Sequence, residues 1–200
     1  MKLKRVFLYI NGILTRPGES DNWNGRAVTW THLHTDFLAE KVEYYVGPIS
    51  RAFGRGQRRR AEKLAKTIRY YANQGWQVVL VAHSNGANVV ANAVPLLAQN
   101  HRDAVESVHL VAAACPADFR ENGLNALGAP VTVWEAGNDK ALKMAKTVGW
   151  LVGFGTLGLD GPKNAKVPTT TIRFEDYGHS TFFGPTTFDS FMIRVTNRFA

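Results

Sequence analysis

Short apolar runs alternate with longer segments of helical periodicity along most of the chain. A continuous apolar or β-branched run bounded by turn residues is typical of a buried β-strand. The predicted strands are Arg5–Ile10, Val42–Val46, Trp76–Ala82, Val105–Ala113, Pro130–Ala136 and Thr169–Phe174. The run at Trp76–Ala82, WQVVLVA, is almost entirely apolar. It therefore suits a central strand that is covered on both faces.

Segments with apolar residues three and four positions apart separate these runs. They predict helices over Ala27–Glu40, Gln57–Asn73, Ala87–Gln99 and Pro185–Arg198. Strands separated by helices imply right-handed crossovers and a mostly parallel sheet. We therefore expect a single α/β domain over residues 1–200, built as a three-layer α/β/α sandwich around a mostly parallel six-stranded sheet.

Polar clusters follow four of the predicted strands at the point where each strand ends. The clusters are Asn11-Gly12-Ile13, His83-Ser84-Asn85-Gly86, Gly137-Asn138-Asp139 and Asp176-Tyr177-Gly178-His179. In a parallel sheet these strand ends lie at one edge, where ligand sites are found. A serine, an aspartate and a histidine are therefore expected to meet there, in that chain order.

These three residue types fit nucleophilic catalysis. A serine hydroxyl is a weak nucleophile until a base removes its proton. His179 can take the proton of Ser84 near neutral pH, and Asp139 can hold the imidazole in the required tautomer. The oxyanion of the tetrahedral intermediate needs N–H donors, which we expect from Asn85 and from Gly12 or Ile13.

A second aspartate competes for the role of the acid. Asp139 directly follows a clear predicted strand, and it is the preferred candidate. Asp118 follows the preceding strand, after the sequence CPA, and is the alternative acid. His83 adjoins Ser84, but its position points it away from the serine hydroxyl, so we expect a structural role for it.

Together these features resemble the α/β-hydrolase superfamily. Residues 81–88, VAHSNGAN, resemble its nucleophile elbow, and Asn11-Gly12 resembles its oxyanion loop. The resemblance covers nearly the whole chain as an order of elements, without the first two strands of the larger members, as in small esterases. It implies a lipase-like or carboxylesterase-like serine hydrolase, which cleaves carboxylic ester or thioester bonds through an acyl-enzyme.

The elbow departs from the family pattern G-x-S-x-G because Ala82 stands at the first glycine position. The residues two before and two after the nucleophile crowd together in such a turn, so their side chains must be small. Alanine adds one methyl group, and Gly86 keeps the second position clear. The pattern therefore permits the turn, whereas Ser84 as a simple helix N-cap explains neither Gly86 nor the partners.

The charge distribution suggests an alternative function. The formal net charge is +8, and basic residues concentrate in Arg51–Arg69. A basic field attracts anionic surfaces without selecting one. The alternative is thus a basic binding or adaptor protein on a hydrolase scaffold, which contacts an anionic surface through residues 51–69. We find no specific nucleic-acid motif in the chain.

The sequence also predicts the kind of substrate, the use of cofactors and the location of the protein. We expect a small-molecule ester or acyl substrate, with lid or pocket segments within residues 14–26 and 140–167. The histidines have no metal-ligand spacing, and the single cysteine excludes a disulfide framework, so we expect no metal and no cofactor. We find no apolar run of transmembrane length and no cleavage site after the first strand, which predicts a cytoplasmic protein.

Overall fold

The computed structural model describes residues 3–12, 22–42, 55–148, 155–197 and 199. Several predictions fall outside these ranges. They concern Ile13, the proposed loop at 14–21, residues 43–46 of the second predicted strand, the basic residues 51–54 and part of the apolar segment at 149–154.

Six parallel strands form one sheet, which confirms the predicted fold class and strengthens it from mostly parallel to entirely parallel. The strands are β1 (Arg5–Ile10), β2 (Leu38–Val42), β3 (Gln77–His83), β4 (Val105–Val111), β5 (Val131–Ala136) and β6 (Thr169–Phe174). Their spatial order is β2-β1-β3-β4-β5-β6. Because every strand points the same way, all six carboxyl ends lie along one edge.

Helices cover both faces of this sheet. They are α1 (Trp23–His34), α2 (Arg55–Asn73), α3 (Gly86–Ala93), α4 (Gln99–Asp103), α5 (Lys140–Val148), α6 (Leu157–Asp160) and α7 (Phe188–Thr196). Short 3₁₀ turns lie at Val94–Leu96, Gly123–Ala126 and Thr181–Phe183. None of the helices within the described ranges is both long enough and apolar enough to cross a membrane.

The central strand β3 shows how the sheet separates two cores. Leu80 and Ala82 face the core that α2 and α3 cover. Val79 and Val81 face the other core, which contains residues of α1 and α7. Successive side chains of a strand point to opposite faces, so a nearly continuous apolar run is needed when both faces are buried.

The second strand and the helix before it differ from the prediction. The helix runs from Trp23 to His34 rather than over Ala27–Glu40, and its apolar residue Leu33 is 75% exposed. Leu38–Val42 forms β2, which pairs with β1, so this strand begins four residues before the predicted start at Val42. Pairing with a neighbouring strand outweighs the local helical spacing in a segment with mixed apolar and polar residues.

Two further helix predictions were wrong at their ends. The predicted helix Ala87–Gln99 is divided, because Pro95 lies in a 3₁₀ turn after α3 and cannot donate the hydrogen bond that would continue an α-helix. The final helix begins at Phe188 rather than Pro185. Predicted bounds shifted by one or two residues elsewhere, whereas β1 and β6 have the predicted bounds.

Candidate active site

Ser84 lies in the turn between β3 and α3, with a backbone φ of 53°. Residues with a Cβ rarely adopt this left-handed conformation, and such strain clusters at functional sites. A Cβ on Gly86 would lie 2.7 Å from the carbonyl oxygens of Ile10 and Asn11, so this position has room only for glycine. Ala82, by contrast, places its methyl group in the buried core. The turn therefore tolerates alanine two residues before the serine but requires glycine two residues after it.

Backbone hydrogen bonds from the end of β4 hold the strained turn. The Ser84 N–H donates to the carbonyl of Val111, and the Ser84 carbonyl accepts from the Ala114 N–H, both at 3.0 Å. Asn88, on the first turns of α3, donates from Nδ2 to the Ala114 carbonyl at 2.6 Å. Sequence reasoning missed Asn88, although a buried amide in an otherwise apolar helix was a usable signal.

His179 lies in the loop after β6 and contacts both other candidates. Its Nε2 is 2.9 Å from Ser84 Oγ, and its Nδ1 is 2.7 Å from Asp139 Oδ2. The structure thus brings together the serine, histidine and aspartate that the sequence analysis singled out. A chain of this kind can move a proton from the hydroxyl to the imidazole and stabilise the charge that results.

Asp139 is fully buried at the start of α5. Its Oδ1 accepts a hydrogen bond from the backbone N–H of Leu142 at 2.9 Å, while Oδ2 contacts His179. This arrangement caps the helix. The same helix therefore orients the carboxylate towards His179.

Asp118 does not occupy this site. Its carboxylate accepts hydrogen bonds from the side chains of Arg120 and Asn164. The hydrogen bond from Arg120 is the main cause that lowers the pKa of Asp118 to about 2. The structure therefore gives Asp118 a local ion pair, while His179 Nδ1 contacts Asp139.

The expected donors of the oxyanion hole lie beside the turn. Asn85 follows Ser84 and precedes α3, and its backbone N–H donates to no residue in the described ranges. A Cβ on Gly12 would lie 2.9 Å from Ser84 Cβ, so the backbone after β1 passes directly beside the nucleophile. An N–H group of this kind can bind an oxyanion.

His83 is buried, and its Nε2 lies 3.0 Å from the carbonyl oxygen of His179. Burial is the main cause that lowers the pKa of His83 to about 3. Because a carbonyl can only accept, the neutral ring donates through an Nε2–H group. The side chain thus donates to the backbone of the candidate base, and its ring centroid lies 4.7 Å from that of His179.

The described parts of the two proposed pocket segments pack against the core. Trp23, the first residue of α1, stacks on Phe183 with ring centroids 4.3 Å apart. Cβ atoms on Gly155 and Gly158 would lie within 2.3 Å of backbone atoms between Ala113 and Cys115. These glycines let the segment before and within α6 lie directly on the end of β4.

The described part of the basic segment and the cysteine take no part in the hydrogen bonds that join Ser84, His179 and Asp139. Within the described part of 51–69, the side chains of Arg58, Arg59, Lys63 and Lys66 are exposed on α2. An anionic partner for them remains a prediction. Cys115 is buried, and burial raises the pKa of its thiol to about 12, which fits the packed thiol of a core residue.

Comparisons with known proteins identify a related family and several similar structures. Residues 53–148 match the family of the bacterial virulence protein VirJ. A search of the curated proteins gives no match. Solved structures similar to this chain include an esterase of Pyrobaculum calidifontis, with a TM-score of 0.61 and 13% identity over 99% of this chain and 75% of that chain.

Two further solved structures are similar over almost the whole chain. One is a lipase-esterase related protein of Clostridium acetobutylicum, with a TM-score of 0.61 and 10% identity over 98% of this chain and 95% of that chain. The other is the butyrate-bound esterase Est2 of Thermogutta terrifontis, with a TM-score of 0.61 and 11% identity over 99% and 83%. With the parallel six-stranded sheet, this likeness shows that the chain has the α/β-hydrolase fold.

Proposed function

We propose that the protein is a serine hydrolase that cleaves carboxylic ester or thioester bonds through an acyl-enzyme. The observation that carries the proposal is the continuous contact from Ser84 Oγ through His179 to Asp139, at 2.9 and 2.7 Å. Each of these side chains follows a different strand of the sheet. They therefore meet through the fold rather than through closeness in sequence.

Acylation follows from this geometry. His179 Nε2 takes the hydroxyl proton as Ser84 Oγ attacks the carbonyl carbon of the substrate. Asp139 accepts a hydrogen bond from Nδ1–H and stabilises the imidazolium. When the tetrahedral intermediate collapses, the proton on Nε2 passes to the leaving alkoxide or thiolate, and the acyl group stays on Ser84.

Deacylation repeats the same steps with water. His179 takes a proton from a water molecule that attacks the acyl carbon, and then returns a proton to Ser84 Oγ. The products are a carboxylic acid and the regenerated enzyme. No step in this sequence calls for a metal ion or cofactor.

In both steps we assign the oxyanion to the backbone N–H groups of Asn85 and Gly12, with Ile13 as the alternative to Gly12. The Asn85 N–H has no partner among the described residues, and Gly12 packs against Ser84. Removing one such donor typically raises the barrier by roughly 3–4 kcal/mol. These groups would therefore supply a large share of the rate enhancement.

Fold neighbours support the choice of ester substrates. Two of the similar structures are esterases, and one of them holds butyrate. Because the likeness is one of fold, it favours short-chain esters as the first substrates to test and does not select an acyl group.

The test is hydrolysis of p-nitrophenyl acetate and butyrate by the wild type and Ser84→Ala. We expect the substitution to lower kcat by at least about 10³-fold, because the attacking oxygen is lost. Ser190→Ala is the matched control, since Ser190 is an exposed serine of α7 and should leave the rate unchanged. Hydrolysis that survives in Ser84→Ala would exclude Ser84 as the nucleophile.

A further inference from the structure

The histidine before the nucleophile and the candidate base are linked by a contact that the proposed chemistry does not use. His83 ends β3, directly before Ser84, and its Nε2–H donates to the backbone carbonyl of His179 at 3.0 Å. The side chain of His179 in turn reaches Ser84 Oγ at 2.9 Å. The two hydrogen bonds and the peptide bond between His83 and Ser84 therefore close a small ring through the backbone and the side chain of His179.

Aromatic packing fixes the His83 ring on its other sides. The ring lies edge-on to Phe183, with centroids 4.9 Å apart, and edge-on to Trp23 at 6.1 Å. Phe183 and Trp23 also stack on one another. This cluster joins the start of α1 to the turn that follows His179, so the ring has little freedom to leave its hydrogen bond.

Buried aromatic side chains and hydrogen bonds hold the loop that carries His179. The N–H of Gly178 donates to Thr181 Oγ1, and Asp139 accepts from the ring of His179. The His179 side chain remains 25% exposed. Among the described residues, the contact from His83 adds a hydrogen bond that joins the backbone of the candidate base to the strand carrying the nucleophile.

Burial also suits His83 to this task. A charged imidazole would cost desolvation energy at this position and would repel a protonated His179. The ring stays neutral when its neighbour becomes charged, because its pKa is held well below the usual range. It can therefore donate its hydrogen bond throughout a reaction cycle without competing for the proton.

We propose that His83 is a positioning residue. Its hydrogen bond joins the loop that carries His179 to the strand end before Ser84, and it keeps His179 Nε2 within hydrogen-bond distance of Ser84 Oγ. This inference rests on the proposed serine-hydrolase function. A displacement of about 1 Å in a reacting group can lower a rate by roughly 10²-fold. Loss of the hydrogen bond from His83 should therefore lower kcat more than it weakens substrate binding.

Two substitutions separate the hydrogen bond from the packing. His83→Phe keeps an aromatic ring but removes the donor, whereas His83→Gln places an amide N–H₂ near the position of the imidazole Nε2–H. With p-nitrophenyl butyrate we expect His83→Phe to lower kcat by roughly 10- to 100-fold with little change in KM. His83→Gln should recover most of that loss. His101→Phe is the matched control, since His101 lies on α4 at the opposite edge of the sheet.

Thermal unfolding of each variant accompanies the kinetics. Equal losses of kcat in His83→Phe and His83→Gln that follow their loss of folded protein would overturn the inference, as would wild-type kcat in His83→Phe. Either result leaves the proposed function intact if hydrolysis still depends on Ser84. A rate of hydrolysis that is unchanged in Ser84→Ala would instead overturn the proposed function and this inference together.

A spectroscopic measurement tests the same contact without turnover. In long-range ¹H–¹⁵N spectra of the ¹⁵N-labelled protein, His83 should be a neutral Nε2–H tautomer between pH 5 and pH 8. The resonance is assigned by its absence in His83→Phe. An Nδ1–H tautomer, or a ring that becomes protonated within this pH range, would contradict the hydrogen bond on which the inference rests.

Discussion

Asp118 and Asp139 each follow one of two adjacent strands, β4 and β5, yet they have different surroundings. Asp139 is fully buried, with one carboxyl oxygen on the backbone of α5 and the other on His179. Asp118 pairs with the exposed guanidinium of Arg120, only two residues away in the chain. Both carboxylates are satisfied, but only Asp139 is joined to a candidate catalytic group.

The difference lies in the backbone that follows each aspartate. A nine-residue helix begins directly after Asp139, and its first turn takes one carboxyl oxygen and fixes the direction of the other. Asp118 is instead followed by a turn, in which its Oδ1 accepts from the backbone N–H of Arg120. A carboxylate at a strand end is thus oriented for catalysis when a helix N-terminus holds it there.

The two aspartates should differ most in what their substitution does to kcat. Asp139→Asn should lower kcat by up to roughly 10⁴-fold, because an amide no longer fixes the required tautomer of His179. Asp118→Asn should leave kcat unchanged. Both are measured with p-nitrophenyl butyrate. A large loss in Asp118→Asn with near wild-type activity in Asp139→Asn would reverse the assignment.

A second expected difference concerns stability and the helix cap. Asparagine caps a helix about as well as aspartate, whereas alanine does not. Asp139→Ala should therefore lower the free energy of unfolding by about 1 kcal/mol more than Asp139→Asn does. Urea denaturation of the two variants gives this difference directly. Equal stabilities would show that the contact with Leu142 contributes nothing to α5.

The smallest effect is the acid dependence that Asp118 confers. Arg120 lowers the pKa of Asp118 to about 2 in the folded protein, whereas the unfolded value is about 3.9. A lowered folded pKa adds stability above about pH 4, which is lost as the pH falls towards 2. The effect is small because the side chain of Arg120 is 67% exposed, which lets solvent screen the pair.

Thermal unfolding at pH 5 and at pH 2.5 tests this dependence. The wild type should have a slightly higher Tm than Asp118→Asn at pH 5, and the difference should shrink at pH 2.5. Arg120→Gln removes the other partner and should behave in the same way. A difference that grows as the pH falls would contradict the ion pair.

Much of this fold can be predicted from the sequence, because strands buried on both faces, such as β1 and β3, are nearly continuous apolar runs. β1 and β6 have their predicted bounds, and the order of polar clusters after the strands indicated which residues would meet. β2 was misplaced because Leu38–Val42 mixes apolar and polar residues, and its pairing with β1 is a tertiary interaction. Local periodicity cannot show such pairing.

The site was predictable at the level of residues and less so at the level of contacts. Ser84 and His179 stand in turns with recognisable neighbours. Asp139 was preferred over Asp118 because it directly follows a clear predicted strand, whereas the hydrogen bond by which α5 orients its carboxylate is seen only in the structure. The hydrogen bond from His83 spans 96 residues of chain, so only the folded arrangement reveals it.

The site at which a fluorophosphonate reacts tests the Ser84–His179–Asp139 assignment in one measurement. Such reagents phosphonylate an activated serine, and peptide mapping locates the adduct. We predict one label per chain, on the peptide that contains Ser84, with loss of the label in Ser84→Ala and much slower labelling in His179→Ala. Labelling at another serine, or equal labelling of Ser84 after His179 is removed, would contradict the Ser84–His179–Asp139 assignment.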